Sequence, residues 1–117
     1  MIRKKKAFLK ILILEMQDLD EDIKILIQEY KKKLENNEIS NYVFMENLAV
    51  LRNEFFGVAG FIKDIKIINP DNYETLDELK NDLLDNLTKK INEKGLAHSI
   101  LVMVKRKVEK VIKYVED

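Results

Sequence analysis

Residues 9–30 read LKILILEMQDLDEDIKILIQEY, and within them Leu9, Leu12, Met16, Leu19, Ile23, Leu26 and Tyr30 recur every three or four positions. That spacing keeps one side of an α-helix apolar over several turns. A second stretch, residues 44–65, reads FMENLAVLRNEFFGVAGFIKDI and sets Phe44, Leu48, Leu51, Phe55, Val58, Ile62 and Ile65 at the same spacing. The two stripes match when the chain folds back near Glu38 and Ile39. Leu12 then faces Ile65, Met16 faces Ile62, Leu19 faces Val58, Ile23 faces Phe55 and Leu26 faces Leu51. They read as two long helices packed nearly antiparallel.

The chain has few places to stop a helix, with three Gly and one Pro in 117 residues. The Pro lies in Asn69-Pro70-Asp71-Asn72, a turn signal near the middle. The first helix ends in Glu35-Asn36-Asn37-Glu38, after Lys31, Lys32 and Lys33 have set positive charge at its negative end. Ser40 or Asn41 caps the second. Thr75-Leu76-Asp77-Glu78 has the form of a capping box for a third helix, whose face is Leu79, Leu83, Leu84, Leu87 and Ile91. Lys94-Gly95 ends it. Ala97, Leu101, Val104, Val108, Val111 and Val115 then mark a fourth.

The expected architecture is all-α, an antiparallel four-helix bundle in one domain over residues 1–117, with helices near 4–36, 40–67, 75–94 and 96–116. At about 1.5 Å per residue the first pair spans roughly 48 and 42 Å against about 30 Å for the second. One end of the first hairpin therefore projects past the second, at the turn around residues 35–42. Across the third and fourth helices, Asp77 and Glu78 are expected to face Lys113, Asp82 to face Lys110 or Arg106, and Asp85 to face Lys105. Those pairs would orient the helices more than stabilise them.

Composition narrows the function. Apolar residues make up 46% and charged residues 36%, as in folded helical proteins. With 21 basic and 21 acidic residues the net charge is zero, so no whole-molecule field draws the chain to nucleic acid or anionic membranes. There is no Cys, which removes disulfides and thiolate metal sites and fits a reducing, cytoplasmic location. Lys10 interrupts the apolar run after Arg3-Lys4-Lys5-Lys6, so a secretory leader is not expected. No stretch approaches the roughly 20 apolar residues of a membrane span. A single His leaves no Glu-x-x-His pairs for a di-iron centre, and no cofactor or metal is expected. His98 and Ser99 are adjacent, and neighbours on a helix point apart.

Two clusters stand out as candidate sites. Tyr30, Leu34, Ile39, Tyr42, Phe44 and Met45 lie at the projecting end, where a partner protein, a second copy of this chain in a homodimer being the simplest, would supply the missing surface. Phe55, Phe56, Gly57, Gly60 and Phe61 form either a close-packing site or a small pocket floored by glycine. The expected function is non-enzymatic protein association, as an adaptor, a chaperone-like binder or an assembly component. An alternative is a nucleic-acid-associated regulator using Arg3 to Lys6 and the basic residues from Lys105 to Lys113. A third is a degenerate ribonuclease of the HEPN class, since Arg52-Asn53 supplies its Arg and polar residue while the following His is absent.

Overall fold

The computed structural model describes residues 2–116, which form four α-helices and one 3-10 turn: α1 (Ile2–Glu35), α2 (Asn41–Lys66), the turn Pro70–Asn72, α3 (Leu76–Lys94) and α4 (His98–Glu116). Helix α1 runs unbroken for 34 residues because no Gly or Pro interrupts it. It ends in a Schellman arrangement, with the Glu38 N–H donating to the Lys33 carbonyl at 2.8 Å and the Asn37 N–H to Leu34 at 3.1 Å. Asn37 takes the left-handed conformation this requires, with φ of 59°. Ser40 caps α2, its hydroxyl accepting from the Val43 N–H at 3.2 Å. At α3 the Thr75 hydroxyl accepts from the Glu78 N–H at 3.1 Å, while the Glu78 carboxylate accepts from Glu74 rather than from Thr75. Gly95, with φ of 64°, ends α3, and the Leu96 N–H donates back to Ile91.

All four helices feed one core. Phe8, Leu12 and Met16 of α1 meet Val58, Phe61 and Ile65 of α2, Leu79 and Leu83 of α3, and Ile100, Val104 and Val108 of α4. The order of contacts runs oppositely along α1 and α2. Lys5 near the start of α1 reaches Tyr73 just past α2, whereas Lys24 lies over the Phe55 ring in the middle of α2. Helix α4 lies against α1 with Glu15 opposite Lys107 and Lys110. The bundle is 54 Å long, close to the length of α1 itself.

The α1 stripe holds at Leu9, Leu12, Met16 and Ile23, with Leu19 and Tyr30 packed against the core, and departs from its sequence assignment at Leu26. Leu26 is 42% exposed, and Ile27, off the assigned stripe, packs inward in its place. Two causes act together. A straight helix drifts about 20° per heptad against a strict 3.5 repeat, and α4 begins only at His98, so nothing covers the flank on which Leu26 sits. Leu19 is half-buried, whereas Phe8, off the assigned stripe, is fully buried.

The expected pairing of α3 acids with α4 bases does not form. Lys107 and Lys110 instead converge on Glu15 of α1, at 3.3 and 2.8 Å, while Asp77 pairs locally with Lys80. The α3–α4 seam is filled by leucines and valines, which turns the α3 acids outward. Asp82 turns toward the 3-10 segment, where it accepts from the Tyr73 hydroxyl.

Candidate interaction surface

Helices α3 and α4 have 19 residues each against 34 and 26 in the first pair. Near its start, α4 is fixed to α2 at Asn53 and Glu54: the Ala97 N–H donates to the Asn53 amide oxygen at 2.7 Å and the Ser99 hydroxyl to Glu54 at 2.9 Å. Toward the Glu35 turn from there, α1 and α2 continue as a two-helix arm. Ile23, Phe44, Leu48 and Leu51 are its buried side chains. An arm two helices wide has one internal seam and two flanks with no helix of their own to meet.

Its outer side follows from residue spacing. Tyr42, Met45, Ala49, Phe56 and Gly60 are separated by three, four or seven positions, which places them on one stripe of α2, and past the exposed Lys63 the cap residue Ile67 continues it. Five of these apolar positions are exposed and Gly60 is half-buried; Tyr42, Phe56 and Ile67 reach 71%, 67% and 83%. The aromatic and thioether residues supply broad contact area, and the small residues leave recesses between them.

Phe56 is the ridge between two clefts. On one side lies a cleft of about 380 Å³ with Gly57, Gly60 and Phe61 on α2 and Leu87 and Leu96 from the second hairpin. Lys90 closes its edge, with its ammonium 2.6 Å from both carboxylate oxygens of Asp64. On the other side a smaller cleft of about 250 Å³ is lined by Lys24, Ile27, Arg52, Phe55 and Phe56. The Phe55 and Phe56 rings meet edge to face at 6.2 Å, and the Lys24 ammonium sits 5.6 Å from the Phe55 centroid.

The two clusters singled out in the sequence are therefore redistributed. Tyr42 and Met45 from the first join Phe56 and Gly60 from the second on one face. Phe44 leaves it, because its position in the α1–α2 seam buries it beside the turn. Leu34 and Ile39 are half-buried, and Tyr30 is half-buried with the Lys33 ammonium 5.4 Å from its ring centroid. Phe55 lines the opposite cleft from the glycines, and Gly57 packs against Ile100 while lining, with Gly60, the cleft beside Phe56. Ala49 and Ile67 went unassigned from sequence although their spacing from Tyr42 and Phe56 marks them.

Two hydroxyls meet carboxylates, Ser99 with Glu54 and Tyr73 with Asp82. Asn53 bonds the residue before His98, but Arg52, one position earlier on α2, lines the α1 cleft instead. The Tyr73 phenol is held above its ordinary value by its bond to Asp82 and by burial. Among the described residues no cluster of His, Asp or Glu is placed to hold a metal ion, and no helix is long and apolar enough to cross a membrane. Comparison with protein-family models, with curated proteins and with solved structures gives no match to this chain.

Proposed function

We propose that this protein is a non-enzymatic helical-bundle module that works by protein association, as an adaptor, a chaperone-like binder or an assembly component, and that it associates with itself. The observation that carries this reading is the set of exposed apolar side chains along one side of α2, Tyr42, Met45 and Phe56, continued by Ile67 just past its end and beginning on the projecting arm. A patch of this kind is costly to leave in water and is a common signature of a protein interface. Zero net charge adds no repulsion between copies.

Sedimentation equilibrium over a concentration series tests it, in low and high salt, with wild type beside a Tyr42→Ser/Phe56→Ser variant. The expected result is a wild-type dimer little affected by salt and a variant that is monomeric with unchanged helicity. A wild-type monomer at every concentration would remove self-association. The nucleic-acid reading draws on exposed Arg3, Lys4, Lys6, Lys105 and Arg106, but Glu15 engages Lys107 and Lys110 within the fold. Retention of a generic duplex on filters, falling steeply as salt rises, would favour that reading instead.

A further inference from the structure

At the end of the bundle away from the arm, a groove of about 560 Å³ runs between α1 and α4, lined by Ile11, Glu15, Lys110, Val111, Lys113 and Tyr114. We infer that it binds a free medium-chain alkyl carboxylate, tail down on the apolar floor and head against the lysine rim. Its volume lies within the usual range for small-molecule sites. Ile11 and Val111 form the floor, and the exposed Tyr114 ring adds an apolar wall with a hydroxyl at its tip.

The rim selects the sign of the head group. Glu15 is the single carboxylate lining the groove, and it is already shared by Lys110 at 2.8 Å and Lys107 at 3.3 Å, two ammonium groups for one negative charge. Lys113 lines the same groove and has no ion-pair partner among the described residues. The floor accepts a hydrocarbon chain while the rim carries surplus positive charge, the complement of an amphipathic anion.

An NMR titration of the full chain tests the assignment, using octanoate, octylammonium, 1-octanol and acetate as probes and following the methyl signals of Ile11 and Val111 and the amide of Tyr114. Octanoate is expected to give saturable shifts at those three positions, acetate none, and the cationic and neutral tails weaker binding. Lys113→Glu, at an exposed position that leaves the fold intact, should weaken octanoate about three- to tenfold and strengthen octylammonium. Octanol or octylammonium binding as tightly as octanoate, shifts lying elsewhere, or an unchanged octanoate affinity in Lys113→Glu would overturn the proposal. None of these readings depends on whether the α2 face associates.

Discussion

A Cβ placed on Gly57 would lie 2.4 Å from Cδ1 of Ile100 and within 3.2 Å of both its γ carbons. Ile100 is fully buried, so its side chain has little room to retreat. Glycine inside α2 costs about 1 kcal/mol relative to alanine, and here it allows α4 to approach. Gly57→Ala should therefore destabilise by about 1 kcal/mol net, because overpacking of about 1 to 3 kcal/mol exceeds the helical gain. Adding Ile100→Val should recover part of the loss. Gly60 has no heavy atom within 4 Å of its would-be Cβ, so Gly60→Ala should stabilise by about 0.5 to 1 kcal/mol. Urea titrations check the contrast; equal effects at the two glycines would contradict the packing.

Lys5 is the one charged side chain buried among the described residues, 4% exposed, and its ammonium donates to the Tyr73 carbonyl. This ties the start of α1 to the connection between α2 and α3. Lys5→Ala should cost about 2 kcal/mol, through lost packing of the stem and an orphaned carbonyl. Lys5→Met keeps the stem and also avoids burying a charge, so it should cost at least about 1 kcal/mol less. Denaturant midpoints for the two variants give the comparison.

The bond to Lys110 is the largest influence on Glu15; with the help of Lys107 it outweighs desolvation and holds the carboxyl below its ordinary value of 4.5. A carboxyl with a depressed value in the folded state stabilises fully above the unfolded value and loses that contribution as pH falls through the folded one. Glu15→Gln should lower stability by about 1 kcal/mol at pH 7, taking the two partly exposed pairs together. At pH 3 the gap to wild type should narrow, as read from urea midpoints.

Asp20 has the opposite sign. Desolvation raises its carboxyl above the ordinary value of 3.8, only partly opposed by Lys24, and its Oδ1 is buried without a hydrogen-bond partner. Its penalty is absent below the ordinary value and grows as pH rises through the folded one. Asp20→Asn should therefore be more stable than wild type at pH 7, by up to about 1 kcal/mol, and equal to it at pH 3. Thermal melts at the two pH values decide this.

The helices and their ends were legible in residues 9–30, 44–65 and 75–95 because periodicity and caps act over one to four positions, within reach of local reading. Ser40 and Thr75 cap the starts of α2 and α3, and Gly95 ends α3. The burial of Phe44 follows its place on the α2 stripe, but the surroundings of Leu26 and Phe55 were not legible. Each depends on where α4 begins and on which helix flank another helix covers. The destination of the α4 lysines was hidden for the same reason. Glu15 lies 92 and 95 positions before Lys107 and Lys110, and only the close packing of α1 on α4 selects it over the acids of α3. The interaction stripe sits between these cases, since the spacing of Tyr42, Met45, Ala49, Phe56 and Ile67 was visible but its exposure was not.

Hydrogen exchange of the backbone amides across a dilution series bears most directly on the claim that the two-helix arm is left uncovered by its own chain and covered by a second copy. Amides in residues 24–52 should exchange more slowly as protein concentration rises, while those in α3 keep their rates. Exchange in the arm that is independent of concentration would contradict it.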